Sequence, residues 1–258
     1  MKQKSERIRQ KEKLFKKLCN KVGKTIMEHK LIKENDHILV GISGGKDSYI
    51  LLETLTNRKR ILPFKFEISA AHVEVKNVDY RINKDYMQEY CKKLNVPLIT
   101  KNIQLEKKET NKSMCFICSW NRRKNLFELT KEMRCNKLAF GHHRDDALQT
   151  FLMNMIYHGS ISSLPYCLEM FEGRVQLIRP LLDLWEKDLA EYAFLSEIVK
   201  EEKICPWEEN NKRTFAESLL KQIEKHYPKS PINMFHALDN IYPDYLPKVK
   251  SVRHGNSE

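Results

Sequence analysis

The stretch Ser43-Gly44-Gly45-Lys46-Asp47-Ser48 constrains this chain more than any other because of what flanks it. The apolar run His37-Ile38-Leu39-Val40-Gly41-Ile42 comes before it, and Tyr49-Ile50-Leu51-Leu52 follows. Strand, glycine turn and helix start are the order of a phosphate cradle. The glycines let backbone N–H groups turn inward with no Cβ in the way, the helix N-terminus adds partial positive charge, and Lys46 adds a full one. A Walker loop, G-x-x-x-x-G-K-[ST], would need glycine where Val40 stands and a hydroxyl where Asp47 stands. The stretch therefore predicts an anion site of a different kind.

A chain of 258 residues, 41% of them hydrophobic, can bury one sizeable core with additions. Its formal net charge of +12 favours an anionic partner, nucleic acid before a membrane. No apolar stretch approaches the roughly 18 residues a membrane span needs, and the N-terminus is too polar for a secretory leader. Seven cysteines, an odd number, then read as thiols, metal ligands or redox groups rather than a disulfide framework. These features assign the chain to the cytoplasm.

Residues 1–33 carry twelve Lys and Arg against three Glu. Leu14, Leu18, Val22 and Ile26 recur every four residues, which predicts an amphipathic helix with one docking stripe and a basic outer face suited to a phosphate backbone. Residues 1–12 read as a solvated charge run with a frayed start. After the glycine loop, a helix through about Thr56 precedes a second strand, Phe66 to Val73, and a polar helix near Asn83 to Leu94 precedes a third, Val96 to Ile103. A helix with Arg122, Arg123 and Lys124 leads to a fourth strand, Lys137 to Phe140. An apolar helix with Leu148, Leu152 and Met155 then leads to a fifth, Val175 to Ile178, ending at Arg179-Pro180. Strands alternating with helices predict an α/β fold with a mostly parallel sheet sandwiched by helices, and ligands at the carboxyl ends of the strands. The glycine loop and Gly141-His142-His143-Arg144-Asp145-Asp146 end two of those strands, so both are expected to face one cleft. Beyond Glu186 the chain reads as mainly helical, interrupted at Ile204-Cys205-Pro206-Trp207, with a disordered basic tail from Lys248 to Glu258. The expected segments are a basic N-terminal helix (1–33), a body that carries the sheet and the glycine loop (34–213) and a C-terminal helical extension with a basic tail (214–258).

Cys115 and Cys118 form C-x-x-C just ahead of the predicted helix, where two thiolates could converge on one metal or one redox event. Zinc would want a second close pair, and Cys205 stands alone before Pro206. Three thiolates could instead hold a four-iron, four-sulfur cluster with one iron left open. Cys19, Cys91, Cys135 and Cys167 read as buried small hydrophobes. The run from His142 to Asp146 could be a metallohydrolase fragment, but that would leave the glycine loop idle. Its carboxylates more naturally hold Mg²⁺ or orient substrate, with Asp146 also readable as a helix N-terminal charge partner.

The order of these motifs resembles the tRNA 2-thiocytidine synthetase family of PP-loop ATP pyrophosphatases. It comprises Ser-Gly-Gly-Lys-Asp-Ser, Cys-x-x-Cys-Ser with Arg122-Arg123, Gly-His-His-Arg-Asp-Asp with Gln149-Thr150 and Asn154, Arg179-Pro180-Leu181, and Glu186-Lys187-Asp188, spread from about Leu18 to Tyr242. The resemblance implies a PP-loop, adenine nucleotide alpha hydrolase-like fold, with ATP, Mg²⁺ and a [4Fe-4S] cluster. The reaction would adenylate C2 of a cytidine at position 32 of the anticodon loop and replace its oxygen with sulfur. Ser43, Gly44, Gly45, Lys46, Asp47 and Ser48 would hold ATP, joined by His72, Gly141, His142 and Asp145. Lys46 and Asp47 would act in catalysis with the cysteines, and Cys115, Cys118 and Cys205 would be cluster ligands. Partners would be tRNA, a sulfur donor such as a cysteine desulfurase and a second copy of the chain in a homodimer, without a membrane. The family commonly carries Pro-Cys-x-x-Cys near the third ligand, whereas this chain reads Cys205-Pro206-Trp207-Glu208. Rival readings are a lysidine-synthetase-like ligase, which has no need of Cys115 and Cys118, a thiolase that works through a cysteine persulfide, and a non-catalytic tRNA-binding protein.

Overall fold

Ile38, Leu39 and Val40 are all fully buried although successive residues of a strand point to opposite faces, so the sheet that contains them must be covered on both sides. In the computed structural model, which describes residues 2–78, 82–105, 114–198 and 212–247, helices supply that cover. A basic helix, α1 (Lys2–Glu28), precedes β1 (His37–Gly41), α2 (Lys46–Lys59), β2 (Glu67–Val75), α3 (Lys84–Lys93) and β3 (Leu98–Ile103). Then come α4 (Met114–Glu132), β4 (Lys137–Ala139), α5 (Arg144–His158), β5 (Cys167–Met170) and β6 (Val175–Ile178). The chain continues through α6 (Glu186–Leu195), α7 (Lys212–His226) and α8 (Ser230–His236). The expected interruption at Ile204 to Trp207 and the expected basic tail from Lys248 lie outside the described residues.

The six strands run in the order β3-β2-β1-β4-β6-β5, parallel throughout except for β5, which is antiparallel to β6. The α/β sandwich expected from the alternating pattern is therefore present. Ile38, Val40, Ala139 and Ile178 join one core with buried residues of α1, α2 and α6. Leu39, Leu138 and Leu177 join the other, with Leu126 and Leu129 of α4. Nearly all of β2 is buried, as a central parallel strand requires. Lys101 and Asn102 of β3 belong to an edge strand, where polar side chains discourage pairing with another sheet.

Three local features differ from the sequence reading. The third strand begins at Leu98 rather than Val96, since Val96 completes the helix-ending turn by donating to Cys91 O at 3.0 Å. Val175 to Ile178 is the sixth strand, because Cys167–Met170 forms a hairpin with it across Phe171-Glu172-Gly173-Arg174. Phe171, Glu172 and Gly173 all take positive φ there, and Glu172-Gly173 was the available turn signal. Third, the stretch read as a solvated charge run with a frayed start is mostly exposed over residues 5–12, but α1 is already helical from Lys2. Arg7 anchors that first part by donating to Phe194 O at 3.0 Å, pairing with Glu197 at 3.2 Å and lying over the Phe194 ring.

The α1 stripe is as expected: Leu18, Val22 and Ile26 are completely buried. Their burial makes α1 part of the core and not an appended arm. Leu18→Ala should therefore cost roughly 2–5 kcal/mol in a denaturant titration, whereas Lys16→Ala, on the exposed face, should change stability by less than about 0.5 kcal/mol. Equal effects of the two would contradict the docking of α1.

Candidate active site

The strand order reverses between β1 and β4, so their connections leave toward opposite faces and a crevice opens beyond their carboxyl ends. The glycine loop leaves β1 and Gly141 to Asp146 leaves β4, which brings both to that crevice. Gly141 shows how closely they meet. A Cβ on it would lie 2.9 Å from the carbonyl carbon and oxygen of Asp47 and 3.2 Å from Ser48 N, so only a hydrogen fits between the two loops.

Within the glycine loop, Gly44 has a φ of 85°, in the left-handed region that a side chain disfavours. Gly45 is the N-cap of α2 and gives it no side-chain cap, which leaves helix N-terminal N–H groups for an anion. Ser48 braces the turn: its hydroxyl donates to Gly45 O at 2.8 Å and accepts from Ser43 N at 3.3 Å. His72 lies under the loop, its Nδ1 2.7 Å from Ile42 O. Burial pushes His72 below its ordinary value despite that bond, so a neutral ring supports the backbone where the loop begins.

Lys46 reaches Asp47 at 3.1 Å and Glu186, at the start of α6, at 3.3 Å. Burial opposes its charge, but the two carboxylates outweigh burial and raise its pKa. Asp145 ties the same helix start to the β4 loop, accepting from Glu186 N at 2.8 Å. Burial works against the Asp145 charge, yet His143 and that N–H hold its carboxyl below the usual range. Glu186 was visible in the sequence only as part of a motif, because nothing local says that an acid so distant meets Lys46.

The two histidines diverge. His143 sits 3.5 Å from Asp145 and 3.4 Å from Asp146, and these acids raise its pKa against the effect of burial. His142, edge-on to Phe140, is pushed down to about 4 by burial, with Arg179 and Arg213 acting in the same direction. Its buried Nδ1 has no hydrogen-bond partner among the described residues. Asp146 accepts from His143 N at 2.9 Å and pairs with Arg213 of α7, so it serves as the helix N-terminal charge partner. The sequence reading had no role for Arg213.

Cys115 and Cys118 lie inside α4, not ahead of it. No glycine or proline interrupts Met114 to Ser119, so the helical pattern starts before the first thiol. Their spacing puts them on one helical face, with Cβ atoms roughly 5–6 Å apart by ideal geometry. Cys115 is exposed and Cys118 half-buried, the latter packed near Val75, Val78 and Leu105 beyond the carboxyl end of β2. Two accessible soft thiols at a helix start suit an iron–sulfur or persulfide centre. Cys205 lies outside the described residues. Among the described residues, no group of three or more His, Cys, Asp or Glu is placed to hold a metal ion. Cys19, Cys91 and Cys135 are buried, as expected, and burial pushes each thiol up to about 11. Cys167 is half-buried on the edge strand. No helix among the described residues is long and apolar enough to cross a membrane.

The PP-loop domain family matches residues 9–211 of the chain. The chain is 36% identical over 252 residues to a tRNA-cytidine(32) 2-sulfurtransferase of Polaromonas naphthalenivorans, covering 95% of this chain and 79% of that protein. It is 35% identical over 243 residues to the protein of the same name from Acinetobacter baylyi, covering 90% and 79%. Among solved structures it is similar to the U34-tRNA thiolase NcsA from Methanococcus maripaludis with its [4Fe-4S] cluster. That match has a TM-score of 0.74 and 25% identity over 90% of this chain and 81% of that one.

The opposed histidines should show in acid. Unfolded His142 takes up its proton near 6.5, whereas the folded ring resists protonation until about 4. Its contribution to stability is therefore lost as pH falls from about 6.5 toward 4. His143 is raised, so its contribution is present below about 6.5 and is lost as pH rises through its folded value. Denaturation midpoints from pH 4 to 8 should show a flatter acid limb for His142→Gln and a steeper one for His143→Gln. The same change in both variants would contradict the assignment.

Proposed function

The chain belongs to the tRNA-cytidine(32) 2-sulfurtransferase family of PP-loop proteins, and we propose that it uses ATP to thiolate tRNA, replacing the C2 oxygen of a cytidine at position 32 of the anticodon loop with sulfur. The observation that carries this reading is the contact of Gly141 with the backbone of Asp47 and Ser48. It joins a helix start with no side-chain cap to the His-Asp loop in one crevice, with two thiols at the same end of the sheet.

The base is activated first. Its C2 oxygen attacks the α-phosphorus of ATP, the bond to the β-phosphate breaks, and pyrophosphate leaves. Free N–H groups at the start of α2, with the Lys46 ammonium, stabilise the charge that gathers on pyrophosphate. Asp47 and Asp145 would hold Mg²⁺ against phosphate oxygens, a hard cation on hard ligands. Gly44, Gly45, Ser43 and Ser48 shape the cradle, while His72 and Gly141 hold the loops that form it. Sulfur then bonds to C2, the C2–O bond breaks, and AMP leaves with the former base oxygen.

Cys115 and Cys118, together with Cys205, would hold a [4Fe-4S] cluster, which when bound supplies an open iron site for sulfur. NcsA, the similar structure, contains such a cluster. A sulfur donor such as a cysteine desulfurase would act upstream. An anticodon loop presents unpaired bases that can be splayed out for chemistry. Exposed Arg9, Lys13, Lys16 and Lys24 on α1 would contact the RNA backbone. On this reading segments 1–33, 34–213 and 214–258 divide into RNA contact, chemistry and support.

Pyrophosphate release and sulfur incorporation separate the two steps. Lys46→Ala should lower tRNA-dependent pyrophosphate release by about 10²–10³-fold and lose thiolation with it. Cys118→Ser should keep pyrophosphate release and lose thiolation. Release unchanged in Lys46→Ala would remove the loop from the mechanism, and thiolation retained in Cys118→Ser would remove the thiols.

A further inference from the structure

Arg179 immediately follows β6. Leu177 faces the core that includes α4 and Ile178 faces the opposite one, so alternation turns Arg179 toward the α4 side of the sheet. The residue is only 5% exposed. One guanidinium nitrogen donates to Pro165 O at 2.6 Å, while its Nε has no hydrogen-bond partner among the described residues. Nor does any carboxylate of the described residues pair with it. A buried cation without an anion is costly, and the chain nevertheless places a second cation beside it. After burial, the influence that most disfavours the Arg179 charge is Arg123 of α4, and the two together pull Arg179 down to about 10, still protonated at neutral pH. Arg123 is exposed, donates from Nε to Ser119 O at 3.3 Å, and likewise makes no ion pair among the described residues. The third group is His142, neutral and buried, with no partner for its Nδ1 among the described residues; Phe140 N donates to Ile178 O at 3.1 Å, which sets His142 and Arg179 beyond neighbouring strand ends.

We propose that Arg179, Arg123 and His142 form a second phosphate site on the α4 side of the crevice, distinct from the glycine loop. One buried guanidinium, one solvent-facing guanidinium and a neutral ring with an unpartnered nitrogen match a phosphate group, since planar guanidinium donors bind its oxygens in pairs and an anion between two cations relieves their repulsion. Among the described residues no carboxylate pairs with either arginine, in contrast to Lys46, which is held by Asp47 and Glu186, and Asp146 is the one acid that acts on His142. Arg123 stands five residues beyond Cys118 on α4, so the site lies between the thiol-bearing helix start and the ends of β4 and β6.

This assignment rests on the thiolation reading, which offers two phosphates once pyrophosphate has gone. One is the α-phosphate that remains on the activated base and departs as AMP. The other is a phosphodiester flanking the target cytidine. Both share the chemistry of the site, and binding measurements can tell them apart.

The test uses full-length protein, as wild type, Arg179→Gln, Arg123→Gln and Lys46→Ala. AMP binding is read by calorimetry, and binding of an anticodon stem-loop RNA by titration at several salt concentrations. Arg123 is on the surface, so its variant should fold even if Arg179→Gln does not. A loss of about tenfold or more in AMP affinity, with RNA binding intact, would assign the site to the α-phosphate. Weaker RNA binding with a salt slope shallower by about 0.7, and AMP binding intact, would assign it to the phosphodiester. Wild-type affinity for both probes in Arg123→Gln and in folded Arg179→Gln overturns the site. If Lys46→Ala is then defective in pyrophosphate release, the thiolation reading survives that loss, whereas a wild type that binds neither probe overturns both.

Discussion

No side chain fits between Gly141 and the backbone of Asp47 and Ser48, and much of the molecule depends on that close approach. It requires β1 and β4 to be neighbours, which the strand order provides, and it requires their loops to leave at the same end. Once the two loops touch, the N-terminus of α2 and the N-terminus of α5 open onto the same crevice. Asp145 then reaches Glu186, and Glu186 reaches Lys46, so three helix starts are tied together by one carboxylate–lysine chain. The glycine loop is thus positioned by its neighbours as much as by its own two glycines.

The crevice divides by charge balance. Around Lys46 the cation is matched by acids, so an incoming phosphate must compete with Asp47 and Glu186 or recruit a divalent cation to share them. Toward α4, Arg123 disfavours the charge of buried Arg179, and neither pairs with a carboxylate of the described residues. On the outer side α7 and α8 close the arrangement: Arg213 holds Asp146, and Arg144 lies between the rings of Trp185 and Phe235 while pairing with Asp183 at 3.2 Å. Asp183 also accepts from Thr25 of α1, which links the basic helix to the same frame.

Local chemistry in the sequence reveals whatever depends on near neighbours. The glycine loop, the Leu18-Val22-Ile26 stripe and the strand–helix alternation each follow from residues within a turn or two, and each is present in the fold. Contacts between distant segments left no such mark. The Lys46–Glu186 pair spans 140 positions, and the Arg213–Asp146 pair spans 67. The β5 strand was hidden for another reason, since Cys167-Leu168-Glu169-Met170 has little strand propensity and forms only by pairing with β6. Cys115 lies within its helix and not ahead of it, because no helix breaker interrupts the run from Met114.

The most direct measurement is nucleoside analysis of tRNA incubated with the purified protein, Mg·ATP and a sulfide source, with digestion and mass spectrometry of the products. Cytidine at position 32 with sulfur in place of its C2 oxygen, formed only when ATP is present, is the expected result. Unchanged cytidine, or a cytidine carrying an added amino acid, would contradict the assignment of this crevice to tRNA thiolation.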